Sequence, residues 1–340
     1  MKLASIEIIR SLKNHSNADR LELAQILGWQ SVVQKGLHKE GDKVLFIGID
    51  SIVPSCNWTA FLQDKNNPDK SIRIKMVKLR GEHSAGIVIP LIDQLEPLKD
   101  LEIGTDVTEK LGIKKYIKDL PANLSGETAG DFPSHICSKT DEDNGLSDLE
   151  LVKKVIELPS CTITQKLDGS SVTIIINDGI ITEVCSRNLS KKDTENSLFW
   201  KVAKKLKILN GFTGVIQGEL VGPGVQKNPL QLEDHEIVVF QIKKQSGEYM
   251  NYQEMKGFCN VELNCRVVPL VSETSFTGAS VEEAIEKLQS LADQQTYGAN
   301  GPAEGIVVRS SDYRSFGSQD SYGSRRPLGF KILNRNYKEN

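Results

Sequence analysis

The sequence predicts an α+β protein of two domains: a small N-terminal β-barrel, then a larger domain of antiparallel sheets with flanking helices. Three observations predict this. Several short strand patterns, divided by Gly, His and Lys turns, crowd into residues 1–120. A stretch rich in Gly, Ser, Asp and Pro follows at 121–148. Residues 149–340 then alternate strand patterns with amphipathic helical ones. A length of 340 residues suits two domains, and 39% hydrophobic with 26% charged residues suits a packed core.

Each element has its own signal. Gly28-Trp29-Gln30-Ser31-Val32-Val33 and residues 43–49 read as strands, the second launched by the turn Glu40-Gly41-Asp42. Residues 71–76 alternate apolar and polar side chains, so one face of a strand carries Arg73 and Lys75. Lys78 is out of phase and joins that face only where the strand bulges or ends. Residues 84–90 form a strand closed by Pro90. The 121–148 stretch reads as a plain linker; within it, Asp131-Phe132-Pro133-Ser134-His135 is the part suited to covering a pocket instead.

In the second domain, 161–164 and 172–176 are strands around Lys166-Leu167-Asp168-Gly169. Asn177-Asp178-Gly179 then signals a hairpin into 180–186. Residues 196–206 are amphipathic, with Leu198, Phe199, Val202, Ala203 and Leu206 on one side. Residues 214–220 and 236–242 are strands. Residues 281–292 form a helix with a capping box of Ser280 and Glu283 and an apolar stripe of Val281, Ala284, Ile285 and Leu288. Residues 305–309 and 330–333 are the last strands.

The bulk properties exclude several classes. No apolar run approaches the roughly 20 residues needed to cross a bilayer. Glu7 and Arg10 interrupt the N-terminus too early for a secretory signal. An intracellular, cytoplasmic protein is expected. The six cysteines form no Cys-x-x-Cys pair and read as free thiols. A net charge of -3 excludes a uniformly basic coat for nucleic acid but not a local basic groove. Nothing in the sequence specifies an oligomeric state.

Chemistry concentrates in the second domain. Lys166 ends one strand and is followed by Asp-Gly and a second strand, which holds an amine rigidly rather than as a solvated charge. Further polar residues sit at the ends of apolar strands or inside them: Asp168, Arg187, Glu219, Glu304 and Lys331. An unpartnered charge on a buried strand is costly. Three carboxylates and three cations meeting in one cleft would satisfy one another and suit a nucleoside triphosphate with its metal.

In order and context these residues resemble the motifs of covalent nucleotidyltransferases, the polynucleotide ligases and mRNA-capping enzymes. The matching elements are Lys166-Leu167-Asp168-Gly169, Gln217-Gly218-Glu219-Leu220, Val238-Val239-Phe240-Gln241-Ile242, Glu304-Gly305-Ile306-Val307-Val308 and Phe330-Lys331, spanning roughly 135–333. More narrowly, the chain resembles ATP-dependent RNA ligases of the Deinococcus and Naegleria type. These place an OB-like domain before the nucleotidyltransferase domain, whereas DNA ligases and capping enzymes usually carry theirs after it. Ser186-Arg187-Asn188-Leu189 and the opening Asn17-Ala18-Asp19-Arg20-Leu21 agree. The resemblance implies an OB-like RNA-docking domain at 1–120, a linker at 121–148 and an adenylyltransferase domain with ATP-grasp-like antiparallel sheets at 149–340.

The resemblance also implies roles. Lys166 would attack the α-phosphorus of ATP, and the AMP it then carries would pass to an RNA 5′-phosphate for attack by a 3′-OH, a nicked duplex being the expected substrate. A free lysine with a pKa of about 10.4 is almost entirely protonated at neutral pH, so a nearby cation, Lys331 or a metal, is expected to depress it. Asp168, Glu219 and Glu304 would position Mg²⁺ or Mn²⁺, through its waters in the case of Mg²⁺. Phe240 would stack on adenine, Val307 would press its other face, Gln165 would read its edge, and Arg187 would contact ribose or phosphate. Lys331 would stabilise developing charge on phosphate. In the first domain, Arg73 and Lys75, with Lys78 beside them and Trp29 as a stacking surface, would dock RNA.

The chain departs from the family in two places. Many members carry a second lysine two positions from Lys331, where this chain has Gly329 and Leu333; Arg314, Arg325 or Arg326 are the candidate replacements. The family often has Glu at Gln165. The rival readings are a DNA ligase, a capping guanylyltransferase, or a non-catalytic RNA-binding protein.

Overall fold

The computed structural model describes residues 2–63, 67, 71–116, 122–208, 210–313 and 325–338. It divides into two compact units: Met1–Lys118 with Gly145–Leu149, and Asp119–Asn144 with Glu150–Asn340.

The first unit is built of small antiparallel sheets. Ala4–Ile8, Lys43–Ile47 and Ile87–Pro90 form one, with Lys43–Ile47 central, and Ser11–Asn14, Leu21–Ile26 and Trp29–Gln34 form a meander. Ile6, Leu45, Ile47 and Ile89 of the first sheet pack with Val53, Ile74 and Leu95 in one core. The single alternating strand expected at 71–76 is broken. Ile72–Arg73 pairs with Ser51–Val53, and Val77–Leu79 forms a separate hairpin with Glu82–Ser84. Arg73 is drawn down onto Asp50 at 2.8 Å, and its guanidinium lies 3.5 Å from the Tyr116 ring centroid. Lys75 and Lys78 stay exposed. Trp29 is no stacking surface: it is only 2% exposed, and its indole N–H donates to Ser147 Oγ at 2.9 Å. A strand tryptophan buries too much apolar area to be left in water once a partner for its N–H is available.

The second unit holds two sheets. The larger has seven strands, centred on Ser170–Asn177, Gly214–Val221 and Glu236–Lys244. The Asp-Gly signal makes the expected hairpin, with Asp178 at φ 49° and Gly179 at φ 78°. One face buries Val172, Ile174, Ile216, Leu220, Val239 and Ile242 under Phe199 and Val202 of the helix Leu198–Ala203 and Met255 of Tyr252–Phe258. Ile175, Cys185 and Val215 pack instead against Phe132 and Cys137.

That second contact corrects the linker reading of 121–148. Thr128–Asp131 is a strand paired with Leu189–Lys191, and Phe132 with Cys137 closes a core. Composition misled here because the short strand Thr128-Ala129-Gly130-Asp131, with its Gly and Asp, has a turn-like signature. Pro121 lies outside the described residues.

The smaller sheet runs Leu270–Thr274, Cys161–Lys166, Gly305–Ser310, Gly329–Leu333. The helix Val281–Asp293 carries the expected capping box, Ser280 N–H donating to Glu283 Oε2 at 2.8 Å and Glu283 N–H to Ser280 Oγ at 3.1 Å. Ala284, Leu288, Gln289 and Ala292 are its buried residues, while Val281 and Ile285 are half-buried. Among the described residues no helix is long and apolar enough to cross a membrane. The six cysteines are free, four of them buried.

Candidate active site

Strand register assembles the site. Lys166 ends its strand opposite Gly305, which places Glu304 beside it, and Lys331 faces Val307 on the next strand. Lys166 Nζ donates to Glu304 Oε2 at 2.6 Å. On the larger sheet Glu219 faces Ser171, just after the Lys-Leu-Asp-Gly turn. That turn needs glycine: a Cβ on Gly169 would lie 2.5 Å from Leu220 O and 2.7 Å from Glu219 Cγ.

Phe240 reaches the site through a β-bulge. Gln217 pairs with Gln241 and Gly218 with Val239, so Phe240 is the extra residue of its strand. A bulge re-aims the side chain of its extra residue. One pocket is lined by Gln165, Lys166, Arg187, Glu219, Phe240, Val307 and Lys331 together. Asp168 is drawn to this group electrostatically, its charge acting on both Lys166 and Glu219. All nine residues singled out from the sequence therefore belong to one region. Gln165 has its amide engaged, donating to Gln295 Oε1 at 3.3 Å and to Thr296 O at 3.1 Å.

Electrostatics corrects one expectation. Burial alone would lower the Lys166 pKa, but Glu304, Glu219 and Asp168 outweigh it and hold the amine above the usual lysine range. Among the protein's own groups the carboxylates prevail over burial, so the ammonium form is favoured. Burial pushes the Glu219 carboxyl up to about 8, against the pull of Lys166 and with help from the like charge of Glu304.

The wall of the pocket was missed in the sequence. Thr140, Asp141 and Glu142, from the supposed linker, line it with Arg309. Three consecutive acids each hold an arginine. Asp141 meets Arg187 at 3.4 Å, Glu142 meets Arg309 at 2.6 Å and Asp143 meets Arg326 at 2.6 Å. The Glu142–Arg309 pair is buried, its side chains 8% and 4% exposed. Arg309 could have been found by the signal that exposed Glu304, a charge on an apolar strand. Two tyrosines, Tyr297 and Tyr337, carried no such signal; their hydroxyls bond the Lys166–Asp168 turn. Of the candidates for the missing second lysine, Arg326 is the one paired with Asp143, and Arg314 lies outside the described residues.

An RNA ligase family model matches residues 159–326, and an OB-fold domain model matches residues 3–91. No curated protein matches the chain. Among solved structures, an apo mutant of Naegleria gruberi RNA ligase is 27% identical with a TM-score of 0.81, covering 98% of this chain and 97% of that one. A mutant of that ligase with AMP and Mn matches at 27% identity and TM-score 0.81, with 98% and 97% covered. Another with ATP and Mn matches at 26% and 0.81, again with 98% and 97% covered. The fold and these matches define an enzyme, an ATP-dependent ligase. Within that class residues 159–326 are similar to RNA ligases, and the OB-fold match lies ahead of them in the sequence.

Proposed function

We propose that this enzyme seals RNA ends, joining a 3′-OH to a 5′-phosphate at nicks, with ATP as the source of AMP. The convergence of Lys166, Glu304, Glu219 and Lys331 on a pocket walled by Phe240 carries the reading.

Lys166 Nζ, once deprotonated, attacks the α-phosphorus of ATP. A P–N bond forms, the bond to pyrophosphate breaks, and lysyl-AMP results. An oxygen of the RNA 5′-phosphate then attacks the same phosphorus and Lys166 leaves with its proton restored. Finally the 3′-OH attacks the RNA 5′-phosphorus and AMP departs. Phe240 and Val307 sandwich adenine, and Arg187 contacts ribose or phosphate. Lys331 faces the charge that grows on phosphate oxygens. With both N–H groups of its amide donating to Gln295 and Thr296, Gln165 meets adenine through its side-chain oxygen, as an acceptor.

The donor set fits a hydrated divalent ion rather than a directly chelated one. Among the described residues no three acidic, imidazole or thiol groups cluster closely enough to ligate one metal. Asp168, Glu219 and Glu304 nonetheless act on one another electrostatically, and burial together with this repulsion keeps Glu219 at a pKa of about 8. Such a group receives the waters of Mg²⁺ or Mn²⁺. When bound, the ion supplies positive charge that lowers the Lys166 pKa and neutralises the phosphate.

Incubation with α-labelled ATP or GTP and Mg²⁺ or Mn²⁺ tests this reading. Label on the protein from ATP alone, lost in Lys166→Ala, is expected, together with sealing of an RNA nick in preference to a DNA nick. Label from GTP alone would point to capping chemistry, preference for DNA to a DNA ligase, and no label to a binding module.

A further inference from the structure

Asp168 is held from two sides by phenols. Tyr297 Oη accepts from the Asp168 N–H at 2.9 Å and from the Glu304 N–H at 3.4 Å, and donates to Lys166 O at 3.3 Å. That hydroxyl pins the backbone of the turn. Tyr337 Oη donates to Asp168 Oδ2 and so holds the carboxylate itself.

Tyr337 lies on the tail beyond the last strand, and this tail is stapled to the site. Asn334, 2% exposed, donates its backbone N–H to Glu304 O at 2.9 Å and its amide to Ala303 O at 3.0 Å and Gln295 O at 3.1 Å. Its side-chain oxygen accepts the Asn336 N–H at 2.8 Å, and its carbonyl accepts the Tyr337 N–H at 3.1 Å. The Tyr337 ring packs against the main core, so the hydroxyl arrives with little freedom left to lose. The strand that carries Lys331 thus continues into a hook that ends on Asp168.

We propose that Tyr337 is a positioning residue for Asp168: its hydroxyl fixes the rotation of the carboxylate so that Asp168 receives the waters of the divalent ion in one orientation. This rests on reading Asp168 as a metal-side group. Hydrogen bonds to metal-side carboxylates orient them and tune metal affinity.

The test measures Mn²⁺ binding by EPR in the full-length Lys166→Met protein with ATP, where turnover is blocked. Tyr337→Phe keeps the ring and its packing. It is expected to weaken Mn²⁺ binding about ten-fold. Asp168→Asn should weaken binding at least as much, and Tyr337→Phe added to it should cause no further loss. With Lys166 intact, Tyr337→Phe should raise the Mn²⁺ concentration giving half-maximal adenylation and leave kcat at saturating Mn²⁺ within about two-fold of wild type. Normal Mn²⁺ binding by Tyr337→Phe beside weakened binding by Asp168→Asn overturns the proposal while leaving the functional reading intact. So does a fall in kcat that Mn²⁺ does not rescue, which marks a structural lesion. Unchanged binding by Asp168→Asn removes the metal-side role of Asp168 and the proposal with it.

Discussion

Lys166 Nζ lies 2.6 Å from Glu304 Oε2, so the amine expected to attack phosphorus is held as an ammonium by the carboxylate across the strand. The pair is partly shielded from water, and Glu219 and Asp168 add to the pull. Glu304 therefore keeps the Lys166 amine protonated until other charge claims it. Substituting Glu304→Gln should lower the Lys166 pKa by at least about one unit, because an opposite charge in contact is removed. The pH dependence of Lys166 acylation by a small amine-reactive probe, followed by peptide mass spectrometry, checks this. An unchanged profile would assign the raised pKa to other groups.

Glu219 sets a pH dependence of stability. Its carboxyl sits at about 8, above its unfolded value of 4.5, so the folded state retains a proton that the unfolded state loses. Stability from this group is complete below the unfolded value and is lost as pH rises toward the folded one. Glu219→Gln removes that loss. Its stability relative to wild type should improve between pH of about 5 and about 8.5, by on the order of a few kcal/mol. Urea unfolding at the two pH values measures the difference, and equal offsets would show that Glu219 ionises normally.

The pocket wall depends on the Glu142–Arg309 ion pair. Arg309 donates to Glu142 Oε1 through Nε at 3.1 Å and Nη2 at 2.6 Å, in a site nearly closed to water. Removing one member leaves the other charge buried alone, at a cost of about 3–5 kcal/mol. Glu142→Gln and Arg309→Met should each destabilise the protein strongly, and the double variant should be more stable than the sum of the two losses predicts. Chemical denaturation of the four proteins gives the coupling energy; simple additivity would count against the pair.

If the first domain docks RNA, as the resemblance implies, the exposed lysines of that strand region are expected to do it. Lys75 and Lys78 are both exposed, whereas Arg73 is tied to Asp50 and Tyr116. Lys75→Glu with Lys78→Glu should weaken nick sealing several-fold, more steeply at low salt, because phosphate contacts release counterions. Lysine adenylation should not change. Sealing equal to wild type at every salt concentration would place the RNA elsewhere.

How legible the site was depended on the kind of signal each residue carries. Lys166, Glu219, Glu304 and Lys331 stood out because a charge on an apolar strand is costly without a partner, and each sits near the partners that this cost demands. Phe240 was named, but the bulge that aims it was not visible, since a register shift belongs to two strands and not to one. Trp29 was misread because an aromatic on a β-rich domain has the same signature whether it faces RNA or the core.

Local pattern alone determined the elements of this protein: the Asp-Gly hairpin, the capped helix at Val281–Asp293, the strands that bear the charged residues, and the order of its motifs. Those features rest on interactions between near neighbours in the chain. Only the tertiary structure decided that the acidic run Asp141–Glu142–Asp143 walls the pocket, that Lys166 is held charged by Glu304, and that Tyr337 closes on Asp168. Each of these joins residues distant in sequence, and burial and electrostatic balance exist only once such groups share one volume of low dielectric.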